Sequence, residues 1–213
     1  TDKWMLGTRN SFIIGISATF LATALGTVAA LGLSRRNMPF KGTIMAILIS
    51  PMIVPLIITS AGMFFFYSKI GLTHTYLGLI LAHTALGTPF VVITVTATLT
   101  GFDTNLIRAS QSLGADTMRT FFKVIMPLIL PGVISGALFA FITSFDEVVV
   151  VMFVGSVEQI TIPKQMWAGL RQETSPVILC MATCLVLLSI ALLTTVELLR
   201  RRSERLRGIK LRN

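Results

Sequence analysis

Apolar residues run along this chain in long blocks, and short segments rich in Gly, Pro and charge divide them. A helix needs about 20 apolar residues to cross a hydrocarbon core of ~30 Å. Five blocks reach that length, at 11–33, 43–66, 76–99, 126–154 and 176–199. The pattern predicts an all-α polytopic bundle of about five membrane helices, forming a single domain over residues 1–213. Pro51 and Pro55 interrupt the second block, and Gly87 and Pro89 the third. Each proline removes a helical hydrogen bond, so kinks are expected there. In the first block Ala18, Ala22, Gly26 and Ala30 recur every four residues. Small residues so spaced admit a close neighbouring helix, from this chain or from a partner.

Composition supports the membrane assignment. Hydrophobic residues make up 54% of the chain, charged residues only 13%, and the mean hydropathy is +0.82. A soluble domain carries about a quarter charged residues, so this chain lacks the polar surface of one. Of the 18 Lys and Arg, 13 lie in the segments 34–42, 100–125 and 200–213. They are Arg35, Arg36, Lys41, Arg108, Arg119, Lys123, Arg200, Arg201, Arg202, Arg205, Arg207, Lys210 and Arg212. Lys3, Arg9, Lys69, Lys164 and Arg171 fall on the other side. The positive-inside bias places the first group, including the basic tail 200–213, in the cytoplasm. The net charge of +9 then reflects this bias and attraction to anionic lipid, and nucleic-acid binding is not expected. Five spans with a cytoplasmic C-terminus put Thr1 outside. An additional N-terminal helix upstream of Thr1 is the simplest expectation.

Few side chains offer chemistry. Cys180 and Cys184 are four apart on one helix, which suits neither a disulfide nor a complete metal site. They are expected to pack as small apolar residues in the bundle. His74 and His83 have no ligand-spaced partners. No catalytic residue, no metal and no cofactor bound by this chain are expected. The fourth block differs, because "FITSFDEVVVVMFVG" sets Asp146 and Glu147 within an apolar run after Phe145. Counting ~1.5 Å per residue from Leu128 puts Asp146 about 27 Å along a helix, near the outer face. A carboxylate inside a span is costly unless it meets water or a partner, so it marks a pathway by default. The alternative is that the helix ends near Phe145 and the carboxylates sit at the interface. Residues 155–175 form an outer loop, with Trp167 as an interface anchor.

The segment 103–132, "DTNLIRASQSLGADTMRTFFKVIMPLILPG", is amphipathic structure outside the lipid. Asp103 can cap a short helix. Leu106, Ala109, Ser110 and Leu113 make one small apolar face, and Gly114 supplies a left-handed stop. Asp116 caps a second helix bearing Met118, Phe121, Phe122 and Ile125, and Pro127 and Pro131 bracket entry into the fourth span. A surface-lying amphipathic helix, a plain connection and a docking knob for a cytoplasmic partner are all compatible with this pattern. Two capped helices with a strict stop favour the knob.

The spacing of Ala109, Leu113, Gly114, Ala115, Phe122, Ile125, Pro127 and Pro131 resembles the EAA loop of bacterial ABC-importer permeases. Arg108 stands where that family carries glutamate, Ser110 replaces its second alanine, and Met126 replaces the leucine before Pro127. Five spans with this loop between the third and fourth fit the family's six-helix core without its first helix. The resemblance implies the type I importer permease fold and a coupling helix at about 104–113, seated in a separate ATP-hydrolysing subunit. It also implies Arg108, Ala109, Ser110, Leu113, Gly114, Ala115 and Asp116 as the coupling residues. No Gly-x4-Gly-Lys-Ser/Thr phosphate loop occurs in the chain, so ATP would be used by the partner and this chain performs no bond chemistry. Two ATPase subunits, a second, homologous permease subunit and a periplasmic substrate-binding protein are the implied partners, in a bacterial inner membrane.

"SFDEVVVVMFVG" followed by "TIP", together with residues 87–103, resembles the spermidine/putrescine subgroup of these permeases. That resemblance makes Phe145, Asp146 and Glu147 the expected substrate-pathway residues for a small organic cation. Carboxylates near an outer mouth attract such a cation and replace part of its hydration. Opines, ferric iron and other amino compounds are alternative substrates. A secondary transporter, the remaining class, would need ion-coupling residues in several spans.

Overall fold

The computed structural model describes residues 2–35, 37–100, 102–103, 105–172 and 176–206. Among them every regular element is helical. Four helices are long and apolar enough to span a membrane: Asp2–Leu33, Tyr76–Thr100, Thr117–Phe145 and Pro176–Thr195. The bent pair Lys41–Ile53 and Leu56–Ile70 adds a fifth when its two halves are counted as one span. We number the elements α1 (Asp2–Leu33), α2 (Lys41–Ile53), α3 (Leu56–Ile70), α4 (Tyr76–Thr100), α5 (Asn105–Ser112), α6 (Thr117–Thr120), a π segment (Phe121–Ile125), α7 (Met126–Phe145), α8 (Val149–Val154), α9 (Ile162–Gln172) and α10 (Pro176–Leu206).

α4 is the axis of the bundle, packing against both α1 and α7, which also meet each other. The small-residue stripe of α1 makes the first of these contacts possible. Ala18, Ala22, Gly26 and Ala30 are all buried. A Cβ on Gly26 would lie 2.6 Å from Val91 Cβ, so only glycine lets α1 approach α4 this closely. The stripe therefore serves packing within this chain. Two apolar clusters fill the bundle. One joins Ala22, Val91, Val95, Ile129 and Val133 toward the α5 end. The other joins Ile14, Tyr67, Leu79, Leu86 and the valines of α8 at the opposite end.

Three expected elements are different in the structure. The second span is broken, not kinked, with α2 and α3 meeting at 103°. Pro55 explains the break, because the residue before a proline is pushed out of helical geometry, and Val54 is extended at φ −70°, ψ 134°. The fourth apolar block does not run on as one helix to 154; its helix ends at Phe145, the second of the two readings the block allows, and Asp146 is its C-cap. The outer loop expected over 155–175 contains a helix, α9, which carries Trp167.

The cysteines are a further correction. Cys180 and Cys184 are exposed, not packed in the bundle. Among the described residues α10 packs mainly against α7 and α9, and just 6% of its apolar window is buried, so most of its surface is left to lipid or a neighbouring subunit. The helix continues past the expected end of the span at 199 to Leu206. The rest of the expected basic tail lies outside the described residues, as do Arg36 and Thr104.

Candidate functional site

Two places carry the expected functional residues, one at each end of the α4–α7 pair. At the α8 end, α7 stops and the chain passes through Asp146, Glu147 and Val148 before α8 begins. The two neighbouring carboxylates face different surroundings. Asp146 is exposed. Glu147 is only 7% exposed, and its Oε1 accepts a hydrogen bond from the Val150 N–H at 2.8 Å. An acid at the start of a helix satisfies a backbone donor that has no partner within the helix, and it complements the helix dipole. Glu147 thus caps α8, a helix whose Val150, Val151 and Val154 are buried in the core.

The other end of α8 is held by a cation. Lys164 of α9 donates from Nζ to Val151 O at 3.1 Å and to Ser156 O at 3.3 Å. Burial lowers its pKa from the ordinary value of 10.5, while the two carbonyls give the ammonium partners. Phe145 is buried, its ring 5.1 Å from that of Phe12 and 5.2 Å from that of Phe141. It anchors the end of α7 in an aromatic cluster, leaving Asp146 as the exposed acid of the three.

Side chains outside the expected set hold this end together. Asn10 is fully buried in α1 and donates through Nδ2 to Glu158 O at 2.8 Å and Ile160 O at 2.9 Å. The Tyr76 hydroxyl donates to Asn10 Oδ1 at 2.9 Å, and the Ile162 N–H donates to Ser11 Oγ at 2.9 Å. The segment before α9 is therefore pinned across the start of α1. His83, given no role by its spacing, lies fully buried in α4 with Nδ1 2.8 Å from Ser144 Oγ. This pair ties α4 to α7 two residues before Asp146. A polar residue inside an apolar block is the one signal that could have flagged His83, whereas Asn10 lies just before the first block and carries no such signal.

At the opposite end, Asp103 Oδ1 accepts from the Asn105 N–H at 2.9 Å and opens α5. The expected stop is present: Gly114 has φ +80°, and its N–H donates to Gln111 O. Asp116 caps α6, accepting from the Arg119 N–H at 2.6 Å. The second helix of the loop is not separate, however. α6, the π segment and α7 run as one helix from Thr117 to Phe145. The π turn has a local cause. Pro127 offers no N–H to Lys123 O and crowds that carbonyl, and the Met126 N–H reaches back five residues to Phe121 O.

α5 is an exposed knob on a fixed base. Leu106, Arg108, Ala109, Leu113, Gly114 and Asp116 are exposed, Ala115 is half-buried and Ser110 is buried. Leu113 is 87% exposed, an unfavourable place for a leucine in water and a suitable one for a partner's groove. Ser110 Oγ meets Thr120 Oγ1, and the Ala115 N–H donates to Ser110 O. These bonds fasten α5 to the long helix.

Residues 22–205 match the family described as binding-protein-dependent transport system inner membrane component. The chain is 31% identical to the spermidine/putrescine transport system permease protein PotC of Haemophilus influenzae, over 95% of this chain and 79% of that protein. It is 29% identical to the putrescine transport system permease protein PotI of Escherichia coli K12, over 87% of this chain and 68% of that one. Its fold is similar to a chain of the methionine ABC transporter MetNI in an inward-facing conformation, with a TM-score of 0.66 at 20% identity. That likeness covers 97% of this chain and 96% of the other. A chain of an amino acid ABC transporter matches with a TM-score of 0.69 at 16% identity, over 95% and 94%.

Proposed function

This chain belongs to the family of binding-protein-dependent transport system inner membrane components, and from that premise we propose that it is a polyamine permease driven by a separate ATPase. It forms, as a single permease domain, part of a pathway for spermidine, putrescine or a similar organic cation. Its partners are two ATP-binding-cassette subunits, a homologous second permease and a periplasmic substrate-binding protein. It binds no cofactor itself, and ATP is used by the cassette subunits. Its C-terminus and the α5 knob face the cytoplasm.

The observation that carries this reading is the likeness to the polyamine permeases along almost the whole chain, joined to the exposed Asp146 at the break between α7 and α8. Exposure lets a carboxylate meet a cation without the desolvation that burial would impose. Glu147 and Phe145 shape that break, Glu147 by capping α8 and Phe145 by anchoring the end of α7.

Coupling follows from the continuity of the long helix. The exposed face of α5, with Leu106, Ala109 and Leu113, seats in the ATPase subunit. Arg108 stands at its edge, and Ser110, Gly114, Ala115 and Asp116 join it to α6. From Thr117 to Phe145 the helix spans about 43 Å at 1.5 Å per residue. Displacement of the knob is thereby carried to the Asp146 break as movement of one rod.

The test is uptake of labelled spermidine and putrescine into proteoliposomes holding the complete transporter. Asp146→Asn should assemble normally and lower uptake by about tenfold or more, the scale on which a single-signed mouth changes local cation concentration. Unchanged uptake would remove Asp146 from the pathway.

A further inference from the structure

Behind the α5 knob lies a cavity of about 520 Å³. It is bounded by the last turns of α1 and α4, by the inward face of α5, and by α6 with the π segment. Its wall is mainly apolar, with Leu31, Leu99, Phe102, Ile107 and Phe121 among its residues. Among the described residues Arg35 is the only ionic side chain in the lining, and no acid accompanies it. The neutral polar residues of the lining are Ser34, Gln111, Thr117 and Thr120, and of these the Ser34 and Thr120 hydroxyls are already bonded within the protein, to Ala30 O and Ser110 Oγ.

The lining has the chemistry of an amphiphile site, with apolar walls for a tail and one cation for an anionic head. The position agrees with this. Arg35 follows the C-terminal end of α1, on the side where the chain concentrates its Lys and Arg. That side faces the leaflet whose anionic lipids attract basic residues. The ATPase subunit fits this space less well. Leu106, Ala109 and Leu113, which the coupling reading gives to that partner, lie on the exposed face of α5. Ile107 and Gln111 line the cavity instead.

We propose that this cavity holds an acyl chain of an anionic phospholipid of the cytoplasmic leaflet, with the lipid phosphate on the Arg35 guanidinium. The lipid fills the space between the knob and the bundle and stiffens the base through which α5 moves α7. The proposal rests on the cytoplasmic orientation of the α5 end.

The test uses the complete transporter exchanged into nanodiscs of phosphatidylglycerol or phosphatidylcholine, extracted gently and weighed by native mass spectrometry. Wild type should retain one phosphatidylglycerol per copy of this chain, should retain no phosphatidylcholine, and should not release the lipid to added inorganic phosphate. Arg35→Gln should weaken retention about fivefold, the factor expected for one basic contact to an anionic headgroup. Leu99→Trp should fill the cavity and abolish retention. Equal retention by wild type and both variants, equal retention of the two lipids, or cross-linking of Leu99→Cys to the ATPase subunit would each overturn the proposal. The readout is lipid bound to an assembled complex. A complex that keeps the lipid yet shows no polyamine uptake would contradict the transport reading and leave the lipid site standing.

Discussion

Ser110 Oγ lies 2.8 Å from Thr120 Oγ1, both side chains are buried, and the bond joins α5 to α6 across the Gly114 turn. Ser110 Oγ also donates to Ile107 O at 3.0 Å, so Thr120 is the donor to Ser110. Removing the Ser110 hydroxyl leaves the buried Thr120 hydroxyl without this partner, at a cost of about 1–3 kcal/mol, while removing the Thr120 hydroxyl takes one of the two bonds of Ser110 and leaves it the one to Ile107 O. Ser110→Ala and Thr120→Val should each lower the melting temperature of the purified complex. The double variant should lose less than the sum, and strictly additive losses in the double-mutant cycle would deny the coupling.

Gly26 and Gly32 provide a matched pair on α1. A Cβ at Gly26 would strike Val91, whereas one at Gly32 meets nothing within 4 Å. Val91 is fully buried and cannot yield without parting α1 from α4. Gly26→Ala should therefore cost a few kcal/mol by overpacking and lower the melting temperature by about 2–4 °C for each kcal/mol. Gly32→Ala should be neutral. Equal melting of the two variants would show that α1 does not rely on close approach there.

Glu147 separates capping from charge. Glu147→Gln keeps an oxygen able to accept from the Val150 N–H, while Glu147→Ala leaves that donor unpaired beside the core. Loss of such a cap costs about 1 kcal/mol, within a range of 0.5–2. The glutamine variant should melt close to wild type and transport normally, and the alanine variant should melt lower. Loss of uptake in both variants at unchanged stability would instead make Glu147 a pathway carboxylate.

Asn10 pins the segment before α9 through two backbone carbonyls and Tyr76. Asn10→Ala should release that segment, seen as faster protease cleavage or hydrogen exchange at residues 156–161. An unchanged exchange rate there would show that Ser11 and the apolar contacts suffice.

What could be read from the sequence follows physical range. The span count, the Asp116 cap and the left-handed Gly114 depend on local spacing, and each is where the pattern puts it. The 103° break at Pro55 was visible only as an interruption, because a proline signals lost helical geometry without stating how far the chain turns. The end of α7 at Phe145 is not fixed by the pattern, since the valines after Glu147 are as apolar in a short buried helix as in a long span. Exposure of Cys180 and Cys184 depends on which faces of α10 find neighbours, a tertiary property that composition does not carry. Pairs such as Asn10 with Glu158 and His83 with Ser144 join residues far apart in the chain, beyond any local pattern.

The central claim, that α5 passes the work of an ATPase to the bundle, is tested most directly at Gly114. Its φ of +80° is open to glycine and tolerable for asparagine, but proline is fixed near −65° and lacks the N–H that Gln111 O accepts. ATP hydrolysis and polyamine uptake should be measured together in proteoliposomes for both variants of the complete transporter. Gly114→Asn should retain coupled uptake. Gly114→Pro should either fail to bind the ATPase or hydrolyse ATP without accumulating polyamine. Normal uptake per ATP in Gly114→Pro would contradict the account.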